Sequence, residues 1–163
     1  MADVDNPLYS SSVVGIDTVR FGKGVKIIQP SNVYGCVIGD RCFIGPFCEI
    51  QSDVIIGAET KIQSHSFICS FVNIGKNCFI GHSVVFINDK FSDYAPAGGD
   101  RKKWQSTTVG NHVHIGSNAT ILPVTICDNV VIGAGAVVTH DITIAGKYAG
   151  NPAVLIEETA RKP

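Results

Sequence analysis

Two histidines in this chain stand among small residues, His82 in "GHSVV" and His65 in "QSHSF". An imidazole trades a proton near neutral pH, so either can serve as a general base. Between residues 86 and 105 the chain reads "FINDKFSDYAPAGGDRKKWQ". Here Asp89 offers a carboxylate that accepts a proton or anchors a hydroxyl. The cations of the stretch, Arg101 among them, suit a diphosphate, and its aromatic rings, Trp104 among them, suit stacking on a base. His112, His114 and His140 are expected on the exterior. Six cysteines (36, 42, 48, 69, 78 and 127) form no CxxC pair. They are expected to be small buried thiols rather than disulfides or metal ligands, and no metal site is expected.

The spacing of Cys36, Cys42 and Cys48 is six, and six is the period of the chain. Residues 38 to 85 divide into "IGDRCF", "IGPFCE", "IQSDVI", "IGAETK", "IQSHSF", "ICSFVN", "IGKNCF" and "IGHSVV". Each begins with Ile, and its fifth residue is small. The pattern returns as "VGNHVH", "IGSNAT" and "IGAGAV". A helix would scatter the isoleucines around its axis, and glycine in its interior costs about 1 kcal/mol against alanine. A short fixed period signals a solenoid. Three hexads per turn give a triangular coil, with the aliphatic and the small fifth residue inward and Gly easing the corner. Ile38, Ile56 and Ile74 then form one column, and Ile44, Ile62 and Ile80 the next. His82 falls one turn above Ser64. Insertions are tolerated at corners, so residues 87–108 are read as a loop ejected from one corner, able to reach over a groove. "LIEETARKP" reads as a capping helix.

These hexads resemble the [LIV]-G-x-x-[small]-x signature of the left-handed β-helix acyltransferases, over residues 12 to 155. The predicted fold is therefore all-β: a left-handed parallel β-helix with one ejected loop and a short C-terminal helix at about 153–163, in a single domain spanning 1–163. Parallel crossovers are right-handed in about 98% of cases, so the left hand is an implication of the resemblance. So is a homotrimer with acetyl-CoA between adjacent prisms. "QPSNVYGCVIGDRCFIGPFCEIQ", "FIGHSVVFINDK", "VGNHVHIGSNATILP" and "VIGAGAVVTHDI" with "AGNPA" are similar to enzymes that acetylate a nucleotide-linked 3-amino sugar for surface polysaccharides. Two groups fit: UDP-2-acetamido-3-amino-2,3-dideoxyglucuronate N-acetyltransferases and acetyltransferases of dTDP-3-amino-3,6-dideoxyhexoses.

The resemblance implies that Asn88 sits near the reacting amine, where an amide can accept from it and hold its lone pair in line. His82 and Asp89 join it as catalytic candidates. Asn32, Tyr34, Glu49 and Gln51 form the expected sugar floor, with His65, Arg101 and Trp104 as further substrate contacts. Acetyl-CoA is expected on the later coils, against the small residues Ser117, Ala134 and Gly135. Lys147, Asn151 and Arg161 are expected near its adenine and phosphates. One departure concerns the coil "ILPVTICDNVVIG", where the family reads "ILPGVTIG": a residue is missing and Cys127 replaces Gly.

Net charge is −1, with no basic run and 17% charged residues, which excludes the electrostatic footprint of a nucleic-acid binder. No apolar run reaches membrane-spanning length, and "MADVDNPLYS" lacks a signal-peptide pattern, so a cytoplasmic location is expected. Two other readings remain: an O-acetyltransferase with a His base, and a non-enzymatic or metal-binding β-helix trimer.

Overall fold

The computed structural model describes residues 15–158. Within them the chain winds through about seven triangular turns, and its short strands stack into three sheets of seven, six and eight strands, all parallel but for the last strand of the eight. Face A runs from Ile16–Asp17 to Val137–Val138, face B from Arg20–Phe21 to Thr125–Ile126, and face C from Lys26–Ile27 to the tail. The columns follow the hexad. Ile38, Ile56 and Ile74 are register partners, as are Ile44, Ile62 and Ile80. Each is at most 3% exposed, and full burial of such a side chain stabilises by about 1.5–3 kcal/mol.

The small fifth residue does more than fit. Thr60 Oγ1 donates to the Gly75 carbonyl at 2.8 Å, and Ser66 Oγ donates to the Gly81 carbonyl at 2.9 Å. Cys42, Cys48 and Cys78 direct Sγ to the carbonyls of Gly57, Gln63 and Gly110, each at 3.1 Å. Buried corner carbonyls would otherwise lack partners, and that costs about 1–3 kcal/mol each. The sequence expectation of small buried thiols holds for five cysteines, and Cys127 is half-buried. Burial pushes the Cys36 thiol up to about 11 and that of Cys69 to about 12.

Glycine after Ile has a different task from easing the turn. A Cβ on Gly39 would stand 2.7 Å from the Ala58 nitrogen, and one on Gly75 would stand 2.5 Å from the Gly110 oxygen. Glycine is there to let the next turn approach. The left-handed residue found at most corners comes two positions later, as at Arg41, Phe47, His65, Phe71 and Asn118.

The tail corrects an expectation. Val154–Glu158 is a strand, antiparallel to Gly146–Ala149, where a helix was predicted. The last strand of face C would leave a row of unpaired backbone groups, and the aliphatic Val154, Leu155 and Ile156 pair with it. Residues 159–163 lie outside the described residues.

Candidate active site

The three corners differ. Those between faces B and C and between C and A carry glycine on most turns. The corner between A and B carries Tyr34, Gln51, Cys69, Ile87, Leu122 and Thr139 in the equivalent places. Side chains therefore collect at this AB corner, and the insertion leaves from it, between Val85–Phe86 and Thr107–Val109. The shortened coil also falls at this corner, with Pro123 and Val124 buried. It leaves the CA corner, where the acetyl-CoA candidates lie, unaltered.

The predicted floor is a cluster. Asn32 and Glu49 are register partners on face A. Gln51 Nε2 donates to Glu49 Oε1 at 2.9 Å, and Gln51 Oε1 accepts from the Ser70 nitrogen at 3.2 Å. Burial, then the nearby Glu49 carboxylate, pushes the Tyr34 phenol up, against a hydrogen bond from Gln51. Three turns up the corner from Tyr34, Asn88 Nδ2 donates to the Ser70 carbonyl at 3.2 Å, which fixes the amide and leaves its oxygen as an acceptor. The Gln105 nitrogen closes the loop on the Asn88 carbonyl at 2.8 Å.

Asp89 organises the loop stem. Its carboxylate accepts from the nitrogens of Ala97 at 2.7 Å and Phe91 at 2.9 Å, and these bonds hold it below the usual carboxylate range. The far half of the loop folds back on its own prism. Arg101 pairs with Asp53 and donates to Ser52 Oγ at 3.3 Å, and its guanidinium lies 4.7 Å from the Phe71 ring and 5.4 Å from Trp104. Trp104 meets Phe71 edge-on at 6.2 Å. Lys103 pairs with Asp93 at 2.8 Å. The charge of Arg101 and the ring of Trp104 are thus engaged within the chain.

The other candidates line the CA corner. His82 Nδ1 lies 2.8 Å from Ser64 Oγ, as the one-turn offset requires, and the His82 nitrogen donates to Ser117 Oγ at 3.2 Å. Above them the Gly135 nitrogen donates to the Ser117 carbonyl, and Ala134, Gly135 and Asn151 are exposed further up the same edge. A Cβ on Gly135 would meet nothing within 4 Å. Such an edge of small side chains and open backbone fits an extended amide-bearing chain. Below, the His65 ring stacks on Phe47 at 4.9 Å and 29°. Lys147 sits apart, on face C, bound to Glu157 at 2.8 Å. Arg161 lies outside the described residues. Sequence reasoning missed Phe47, Phe71 and Asp53, because corner positions carry no hydrophobic period. Among the described residues no three His, Cys, Asp or Glu side chains gather as a metal site, and no helix is long and apolar enough to cross a membrane.

The family model described as bacterial transferase hexapeptide (six repeats) matches residues 35–70. The hexapeptide repeat of succinyl-transferase matches 71–87 and 106–140, on either side of the insertion. The chain belongs to the hexapeptide-repeat transferases. The bifunctional protein GlmU of Corynebacterium jeikeium is 27% identical over 173 residues, covering 90% of this chain and 35% of that protein. The chain thus spans about a third of that curated relative's length. Among solved structures, a mutant of AntD, an N-acyltransferase from Bacillus cereus in complex with dTDP and coenzyme A, superposes with TM-score 0.74 at 20% identity, covering 91% of this chain and 86% of that one. The hexapeptide-repeat acetyltransferase VCA0836 of Vibrio cholerae, complexed with acetyl-CoA, gives 0.67 at 25% identity, covering 78% and 73%.

Proposed function

We propose that the protein is an acetyl-CoA-dependent N-acetyltransferase acting on the 3-amino group of a nucleotide-linked amino sugar. The observation that carries this reading is the setting of His82. It stands at the foot of the Ser117, Ala134 and Gly135 edge, and its Nδ1 is backed by the hydroxyl of Ser64 rather than by a carboxylate. A sugar hydroxyl needs a strong base, commonly a His oriented by a carboxylate. An amine is partly free base near neutral pH and needs chiefly to be positioned. The likeness to an N-acyltransferase crystallised with dTDP and coenzyme A supports both the amine and the nucleotide.

In the reaction the amine nitrogen attacks the thioester carbonyl, a C–N bond forms, the C–S bond breaks and coenzyme A leaves as the thiol. The amine's proton passes to His82 Nε2 or to water and from there to the departing thiolate sulfur, which completes the thiol. The Asn88 amide oxygen accepts from the amine and aims its lone pair.

His82 and Asn88 occupy opposite edges of face A within one chain, six residues apart in extended backbone, or roughly 15–20 Å. Both reach one reacting centre when the CA edge of one prism meets the AB edge of the next, as in a homotrimer. A panel of UDP- and dTDP-linked 3-amino sugars and their 3-hydroxy counterparts, read by thiol release from acetyl-CoA, tests the proposal. Release is expected with an amino sugar. Release with hydroxy sugars alone would replace this reading with O-acetylation.

A further inference from the structure

The coil places a left-handed residue at most of its corners, and an ordinary L-residue held there costs about 1–2 kcal/mol. At many turns the chain uses residues that tolerate it: Gly24, Gly35, Asn77, Asn118, Asn129 and Gly135. Thr18, Arg41, Glu59 and Ser83 hold it with ordinary side chains, and Phe47 and Phe71 hold it with bulky aromatic ones, at φ 59° and 71°. Phe71 is accounted for by Arg101 and Trp104. Phe47 is not: it touches the His65 ring on one side and remains 56% exposed.

What lies beside Phe47 indicates its use. A cavity of about 340 Å³ opens against it on face A, lined by Pro30, Ser31, Asn32, Phe47, Cys48 and Glu49. Its polar groups are planar and already oriented. Asn32 Oδ1 accepts from the Gly15 nitrogen at 3.4 Å, leaving the amide nitrogen as a donor. Glu49 Oε1 is taken by Gln51, leaving its second oxygen as an acceptor. An aromatic shelf with one donor and one acceptor at its edge matches a flat heterocycle that carries both on its own rim. A pyranose is less well matched, since it presents hydroxyls around its whole circumference.

We infer that Phe47 is the stacking platform for the nucleobase of the acceptor, with Asn32 and Glu49 reading the base edge. The inference rests on the reading of the acceptor as nucleotide-linked, and it names where the nucleotide end sits. The axial offset fits. Phe47, His65 and His82 occupy successive turns of one edge, so the shelf lies about 10 Å below His82 at about 4.8 Å per turn. A ribose and diphosphate fill such an interval between a base and a reacting sugar. Acetyl-CoA, on the turns above His82, then meets the acceptor from the opposite direction.

The test is calorimetric binding of UDP, dTDP and GDP, without sugar or turnover, to the full-length protein and to Phe47→Ala, Phe47→Trp and Glu49→Gln. At least one nucleotide should bind the wild type. Phe47→Ala should weaken it about 5- to 100-fold, the range set by loss of one base–aromatic stack. Phe47→Trp should retain it, Glu49→Gln should alter the preference among the three bases, and acetyl-CoA affinity should be unchanged throughout. Undiminished nucleotide binding by Phe47→Ala overturns the shelf while leaving the nucleotide-linked acceptor standing. So does an equal loss for the free amino sugar, which would make Phe47 a carbohydrate platform. Undiminished binding with loss of assembly by light scattering would assign Phe47 to a second copy of the chain. A wild type that binds none of the three nucleotides, yet acetylates a free amino sugar, overturns the nucleotide-linked reading and the shelf with it.

Discussion

Replacing Arg101 by Ala should release the insertion without unfolding the coil. The Arg101–Asp53 pair is about half exposed, with side-chain accessibilities of 46% and 56%. Solvent and salt screen such a pair, so it contributes about 0.2–1 kcal/mol. The guanidinium over Phe71 and Trp104 adds about 0.5–1 kcal/mol. Together the variant loses about 1–2 kcal/mol, which is roughly a 5- to 30-fold increase in the population of the opened loop. Because the latch ties a surface loop to a coil held by its own columns, the unfolding midpoint of the coil should hardly move. Limited trypsin digestion reads the opening directly, since Lys102 and Lys103 follow the latch and cleavage tracks the open population when reclosing is fast. Cleavage after Lys102 and Lys103 should accelerate within that range. Arg101→Lys should fall between, because a lysine keeps the charge but cannot bridge Ser52 and Asp53 or stack. An unchanged cleavage rate in Arg101→Ala would refute the latch.

Thr60→Val should destabilise the coil by about 2–4 kcal/mol in denaturant unfolding, because the Gly75 carbonyl and the Cys78 N–H both lose their partner. Thr60→Ser should recover most of this, and a Val variant as stable as wild type would mean the fifth position works by size alone. For Asp89 the folded pKa lies below the ordinary 3.8, so its stabilising bonds are fully present above that value and are lost as pH falls through the lower folded value. Emission from Trp104, the single tryptophan, should stay constant from neutrality to about pH 4 and shift only below it. A transition centred near the histidine range would contradict this. Native Cys36 and Cys69, with thiols raised to about 11 and 12, should resist alkylation at pH 8 until denaturant is added; rapid native labelling of either would contradict their burial.

The hexad made the coil, its columns and the Ser64–His82 contact legible, because side-chain register in stacked parallel strands is a count along the chain. It also placed Asn32, Tyr34, Glu49 and Gln51 together. Size alone did not disclose that Thr60, Ser66, Cys42, Cys48 and Cys78 donate to corner carbonyls, since a hydrogen bond depends on the turn above. The tail misled because Glu157, Glu158 and the charged residues after them read as a helix, while Val154, Leu155 and Ile156 answer to the open edge of face C. Arg101 read as a ligand for phosphate because its partner, Asp53, lies 48 residues away in sequence. The Phe47 shelf was hidden for a similar reason: its conformation is set by the coil, not by its neighbours.

The central claim is that His82 and Asn88 act on one amine from two chains. Co-expression of His82→Ala and Asn88→Ala with different affinity tags, followed by purification on both, yields mixed assemblies. Each single variant should be impaired, with kcat/KM for Asn88→Ala down about 10- to 1000-fold. In a mixed trimer one interface in three carries both native side chains, so activity should return to about a third of wild type. Mixed assemblies no more active than the better single variant would contradict a site shared between chains.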